Sequence, residues 1–517
     1  MGLRHLGSLD TSRCAHVRVD RTCACVCWCR APLNETAEFR QRQPGNNADT
    51  VAMGSDEFSE VLRTTCEHAL RWRASAPYRR VFPSFDPDEL RDLLAAGALP
   101  ESGEDPLRVV NALAQAGELA STASVGPRYF GYVIGSSLPA AVGADWLVSA
   151  WDQNATLYSC GPAVCVIEEI CAAWLVDLLA LPAQTSVGFT TGTQMAAFTA
   201  LAAARHHLLM AQGWDVEADG LWGAPRIPVL ASSQRHASID RALRYLGMGT
   251  QVRSIACGAD GAIQPEDLVA ALEETKRPPI VCVQAGNINT GAVDPLVETC
   301  TLVHAHGGWV HVDGAIGLWA LASAGHRDLL SGAELADSWT TDAHKWLNVP
   351  FDCGLAFTAH PTAHNAAVRI SADYLEASEW RDQINTVPEW SRRARSVPVY
   401  AALRTLGRSG VAALVDRNIA SARRMAARLS AEPGVEVVND VVLNQVLVRF
   451  AVPGRDPDAL TAEVIRRVQD DGTCWLSGSV ADGRTVMRVS ISSWLTSDDD
   501  IDRSATAIIA CFQEAIA

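Results

Sequence analysis

The sequence predicts an α/β protein: a large domain on a mostly parallel sheet, followed by a smaller α+β domain. Three observations lead there. A chain of 517 residues exceeds what one hydrophobic core serves, so two domains or more are expected. Between residues 185 and 360, short apolar runs alternate with helical stretches, the pattern of a parallel sheet covered on both faces. From Val397 the alternation gives way to a long helix, paired strands and further helices.

Taken in order, residues 1–52 read as a disordered leader, or as an upstream start that is not the native one, with translation beginning at Met53. Five cysteines fall there (Cys14, Cys23, Cys25, Cys27, Cys29). Their single-residue spacing, with no second ligand pair following, does not suit zinc, and no metal is expected. The stretch 41–49 has linker composition. A helical segment, 53–125, comes next. Phe58, Val61, Leu62, Cys66, Ala69 and Leu70 recur at three and four, Ser55 is placed to cap, and further helices are expected over 88–96 and 106–119.

The large domain spans 126–396. It opens on Gly126-Pro-Arg-Tyr-Phe-Gly-Tyr132 and continues with a helix over 162–181, whose Val166, Ile170, Trp174 and Leu178 form one stripe. Strands are predicted over 186–190, 227–231, 280–285, 309–313, 338–341 and 355–358. Helices are predicted over 193–212, 238–246, 265–274 and 294–306. The small domain, 397–517, begins with a helix over 397–406 that resumes over 410–432. Strands over 435–439 and 444–450, a helix over 457–470, a hairpin over 473–493 and a last helix from Asp498 complete it.

Composition narrows the partners. With 43 Lys and Arg against 59 Asp and Glu the net charge is −16, which argues against nucleic acid or an anionic membrane. The stretch nearest a membrane span, 164–182, carries Glu168, Glu169 and Asp177, and no secretory signal is evident. The other ten cysteines are scattered singly, as cytosolic thiols are, so a soluble, cytoplasmic protein is expected.

The chemistry gathers at strand ends. Lys345 follows a short strand in Thr341-Asp342-Ala-His344-Lys345, and Asp313 ends the run Trp309-Val-His-Val-Asp313. Pyridoxal phosphate needs such a pair: an amine for its aldehyde and a carboxylate that keeps the pyridine nitrogen protonated. Thr190-Thr-Gly192-Thr193-Gln194 follows a strand and opens a long helix, whose N–H groups and dipole make an anion pocket. His236, in Gln234-Arg-His236-Ala-Ser238, can stack on a flat ring, or can stand before a Ser238 helix cap. Asn287-Ile-Asn289-Thr290-Gly291 brings short polar groups beyond another strand.

These segments, with His344-Lys-Trp-Leu-Asn-Val-Pro-Phe-Asp352-Cys353, closely resemble the pyridoxal-phosphate-dependent group II amino-acid decarboxylases, from Asp56 to the C-terminus. The resemblance implies fold type I, the aspartate-aminotransferase-like architecture with a seven-stranded-type sheet, and a homodimer with shared active sites. It implies Lys345 as the Schiff-base lysine, Asp313 as the pyridinium partner and His236 as the stacking ring. Gly192, Thr193 and Gln194 would hold the phosphate with His344 and Asp342 nearby, and Asn289 would be a further cofactor contact. Two departures stand out: Gly-Thr-Gln-Met in the phosphate segment, and Asn-Ile-Asn where the family often has threonine.

The substrate would be an L-amino acid, with Tyr129, Phe130 and Tyr132 lining an apolar or aromatic side-chain pocket. Tyr374, in Ser371-Ala-Asp-Tyr374-Leu, lies where the family keeps a loop tyrosine that returns a proton to the substrate from the neighbouring subunit; phenylalanine there would suggest aldehyde synthesis. Arg488 lies where fold type I enzymes often clamp a substrate carboxylate, which keeps an aminotransferase open as the alternative.

Overall fold

The computed structural model describes residues 48–94, 97–370 and 381–517, with side chains from Asp56 onward. The cysteine-bearing leader lies outside the described residues. The chain divides into two units, Met1–Ser59 and Glu60–Ala517. In the first, helix α1 begins at Ala48; both sheets belong to the second. Helix α1 (Ala48–Ser75) precedes α2 (Pro87–Leu93), α3 (Pro106–Ala120), α4 (Pro139–Trp151) and α5 (Pro162–Leu178). The expected cap at Ser55 is not one, because α1 starts upstream and runs through it; Ala48, Ala52 and Met53 are good helix formers.

Strands and helices then alternate: β1 (Ser186–Thr190), α6 (Thr193–Met210), α7 (Val216–Asp219), β2 (Val229–Ser232), α8 (Ala237–Tyr245) and β3 (Arg253–Ile255). They continue with α9 (Pro265–Glu273), β4 (Ile280–Gln284), α10 (Leu296–Ala305), β5 (Trp309–Asp313), β6 (Ser338–Asp342), β7 (Gly354–Thr358) and α11 (Pro361–Val368). The strands form one seven-stranded sheet in the order β1-β7-β6-β5-β4-β2-β3. Only β7 runs antiparallel to its neighbours. All five residues of β4, β5 and β6 are buried, as expected of central strands covered on both faces. Register places Gln284 beside Asp313, and Asp313 beside Thr340, so the polar residues gather at one edge.

Elements β3, α4, α7 and α11 escaped the sequence reading, and the first two show why. Strand β3 has three residues, two of them exposed, and sits at the sheet edge where no apolar run marks it. Helix α4 leaves Trp146, Leu147 and Trp151 exposed, which blurs its apolar stripe.

Beyond the sheet, α12 (Ser396–Ser430) bends at Gly407, where φ of 62° and ψ of 177° interrupt it, as the expected break between 406 and 410 required. Strands β8 (Val435–Val437), β9 (Gln445–Phe450), β10 (Ser477–Ala481) and β11 (Arg484–Ser490) form an antiparallel sheet in the order β10-β11-β9-β8. Helices α13 (Pro457–Asp471) and α14 (Asp498–Ile516) help to close its core around Phe450, Phe512 and Leu460. That core also takes Phe130, 1% exposed. Phe130 N–H donates to Trp475 O (2.7 Å), Trp475 N–H to Arg128 O (3.1 Å) and Ser490 N–H to Phe130 O (3.0 Å). The segment 128–130 is thereby tied to the margin of the small sheet, and Phe130, expected to line a substrate pocket, is packed in that sheet's core. Among the described residues no helix is long and apolar enough to cross a membrane.

Candidate active site

At the carboxyl ends of the central strands, where ligands of open α/β sheets bind, a cavity of about 340 Å³ opens. Lys345, Asp313, His236, Gly192, Thr193, Gln194, Asp342 and His344 all line it. Residues from widely separated stretches of sequence thus meet in one place.

Two close approaches set its shape. A Cβ on Gly354, the first residue of β7, would come within 2.3 Å of the Gly192 carbonyl carbon; glycine there lets the start of α6 rest on β7. A Cβ on Gly135 would lie 1.8 Å from the Lys345 carbonyl oxygen, so the lysine turn also packs against bare backbone. Together they bring the N-terminus of the 18-residue helix α6 beside Lys345.

Lys345 Nζ lies 3.1 Å from Asp342 Oδ2. Thr193 N–H donates to Asp342 Oδ1 (2.7 Å). Burial alone would raise the Asp342 carboxyl, but Lys345, His344 and the Thr193 N–H outweigh it and hold the group below its usual value. Asp313 accepts from Ala315 N–H (3.1 Å). Its burial prevails over that bond and over His236 and Lys345, so its carboxyl is pushed up, which makes it a strong acceptor for a heteroaromatic N–H.

His236 is itself the N-cap of α8: Ser238 N–H donates to its Nδ1 (3.3 Å). The sequence offered a stacking ring or a residue before a Ser238 cap; here the imidazole does the capping and still lines the cavity. Burial, reinforced by Lys345 and Arg488, keeps it below its ordinary value against the pull of Asp313 and Asp342, so the ring is neutral near pH 7. His344 accepts from Cys353 N–H at Nδ1 (3.1 Å) and faces the Phe351 ring at 4.4 Å. Burial holds it low as well, against Asp342.

Other expected residues lie elsewhere. Tyr129 is buried in a stack on Trp475, with centroids 5.1 Å apart and planes 3° from parallel, and does not line the cavity. Tyr132 is exposed. Asn289 turns to the small sheet, accepting from Ser479 Oγ (2.7 Å) and donating to Val480 O (3.3 Å); its neighbour Ile288 lines the cavity instead. Arg488 is buried, with Nη1 3.4 Å from Ile288 O, and its Nε has no partner among the described residues. Tyr374 lies outside the described residues.

Conversely, Gln284, Ser238 and Arg241 line the cavity without having been singled out. Gln284 was legible in principle: it ends β4 as Asp313 ends β5, at the same register. Arg241 carries no motif, and only the path of α8 brings it there.

The donors present fit pyridoxal phosphate. The Thr193 hydroxyl is buried without a partner at a helix start suited to a phosphate. Asp313 suits the pyridine nitrogen, Lys345 the aldehyde, and the neutral His236 a flat ring.

Fold and site together define a pyridoxal-phosphate-dependent enzyme of fold type I. Residues 87–451 match the pyridoxal-dependent decarboxylase conserved domain, and the chain belongs to that family of amino-acid decarboxylases. It is 32% identical over 381 residues to L-2,4-diaminobutyrate decarboxylase of Rhizobium meliloti (strain 1021), covering 71% of this chain and 74% of the relative. It is 28% identical over 424 residues to aromatic-L-amino-acid decarboxylase of Bacillus atrophaeus, covering 79% and 86%. The crystal structure of Oryza sativa TDC with PLP and tryptamine superposes with a TM-score of 0.83 at 24% identity, covering 92% of this chain and 100% of that one.

Proposed function

We propose that the protein removes the α-carboxylate of an L-amino acid to give the amine and CO2, and that it works as a homodimer with shared active sites. The observation that carries this reading is the convergence of Lys345, Asp313 and His236 on one cavity, in a chain of the decarboxylase family. Bound there, pyridoxal phosphate supplies an electron sink for the pair left behind by CO2.

The chain's own residues do the rest. The α6 N-terminus and the Thr193 hydroxyl would hold the phosphate, Asp313 would keep the pyridine nitrogen protonated, and His236 would pack on the ring. Lys345 would hold the cofactor through its aldehyde. Arg488, buried beside Ile288, is the candidate for steering the substrate carboxylate. Tyr374 returns a proton to the α-carbon as general acid, supplied by the neighbouring subunit.

Incubation of the enzyme and pyridoxal phosphate with each L-amino acid, assayed for CO2 and amine, tests the reaction. Keto acid without CO2, in the presence of an acceptor, would overturn it in favour of transamination.

A further inference from the structure

We propose that Asp342 is a positioning residue that receives the Lys345 ammonium once the substrate amine has displaced it, and so keeps the released lysine from delivering its proton to the cofactor. This rests on the decarboxylase reading above, in which another group protonates the α-carbon.

The geometry is specific. Asp342 is 3% exposed, and one carboxylate oxygen is fixed by the Thr193 N–H at 2.7 Å. The other faces Lys345 Nζ at 3.1 Å, the only ion pair of that lysine among the described residues. A carboxylate suits a helix start but repels a phosphate held at the same one. Its place there makes sense if it is matched to a cation, and Lys345 is the cation it meets. His344 Nε2 is farther from the same oxygen, at 3.7 Å, and burial holds its ring below its ordinary value, so Lys345 is the nearer and stronger cation.

The consequence concerns where the electron pair goes after CO2 has left. A proton placed on the substrate α-carbon gives the amine and leaves the cofactor aldehyde intact. A proton placed on the cofactor carbon instead, followed by water, releases the substrate skeleton as an aldehyde and the cofactor as its amine. Overall, amino acid and cofactor aldehyde become CO2, substrate aldehyde and aminated cofactor. The substrate carbon–nitrogen bond is oxidised and the cofactor is reduced by the same pair, with no outside oxidant. A free lysine beside the ring is the natural donor for that second route; held by Asp342, it is kept away from the cofactor carbon.

The test follows holoenzyme during turnover of an amino acid that yields CO2, with amine, aldehyde, CO2 and pyridoxamine phosphate quantified by chromatography. Asp342→Asn keeps the acceptor for Thr193 and removes the charge. It should raise pyridoxamine phosphate formed per CO2 by about ten-fold or more, with activity decaying and returning on addition of pyridoxal phosphate. A ratio unchanged from wild type overturns the proposal, since a merely structural role would lower all products together. If Asp342→Asn does not retain cofactor, Asp342→Glu decides. A ratio within about three-fold of wild type supports a charge-holding role, and a rise as large as that expected of the neutral variant overturns it. Tyr374→Phe in the same assay separates the two readings: unchanged amine there removes Tyr374 as proton donor, whatever Asp342 does.

Discussion

The parts of the chemistry proposed for Lys345 and Tyr374 are separate, and substitution distinguishes them. Lys345→Ala should leave no cofactor that borohydride can fix to the chain, measured by mass spectrometry after reduction; a reducible adduct in that variant would reassign the lysine. Tyr374→Phe removes one proton and keeps the ring. Amine release should fall by about 10²- to 10⁴-fold while cofactor attachment survives, and equal amine production would withdraw the role given to the tyrosine. At this scale the sequence was most readable where motif and strand end coincide, as at Asp313, His344-Lys345 and Gly192-Thr193. It misled where aromatic residues next to one another were read as a pocket. Phe130 and Tyr129 are adjacent in a backbone tied to the margin of the small sheet, so one enters that sheet's core and the other stacks on Trp475. Nothing local announces an isolated bridge formed with residues so distant in sequence.

Helix α11 shows what an element adds. It carries His364, fully buried, with Nδ1 2.9 Å from Ser186 Oγ on β1. Burial, reinforced by Arg381 and opposed by a bond to the Thr386 backbone, pulls its pKa from 6.5 down to about 4. The unfolded chain takes up the proton first as pH falls, so this histidine's contribution is intact above pH 6.5 and is lost progressively toward pH 4. The loss amounts to about 3 kcal/mol over that window. Thermal denaturation between pH 7 and 4.5 should show a flatter pH dependence in His364→Asn than in wild type. Identical slopes would place the acid sensitivity elsewhere. Element positions in the large sheet were legible because buried parallel strands read as continuous apolar runs, and helix starts carry Gly, Pro or polar caps. The short edge strand β3 has no apolar run, and α4, although it starts at Pro139, has its apolar stripe blurred by exposed Trp146, Leu147 and Trp151.

Across the whole molecule, Arg128 ties distant parts together. Only 4% exposed, it donates to Thr473 O (2.8 Å), Asp500 Oδ1 (2.9 Å) and Pro77 O (2.7 Å). Arg128→Ala leaves two carbonyls without their donor and takes one donor from the half-buried Asp500, which keeps its bonds from Ser497, and should cost about 2 kcal/mol, read as a fall in the urea midpoint. A midpoint unchanged from wild type would show that these bonds are replaceable by water. The two-sheet architecture was visible in the switch of pattern near Val397, whereas the attachment of residues 128–130 to the second sheet was not. That attachment governs how the gene can be cut. The last 121 residues (397–517) do not hold everything their own sheet needs, because Phe130 and its backbone bonds come from the other end of the chain. On the ribosome, that hydrophobic cluster must wait for its final strand to meet a segment made long before. A gene split after residue 396 should therefore yield halves that are poor folders apart and competent together, so recombination would have to move this module with its distant partner or not at all.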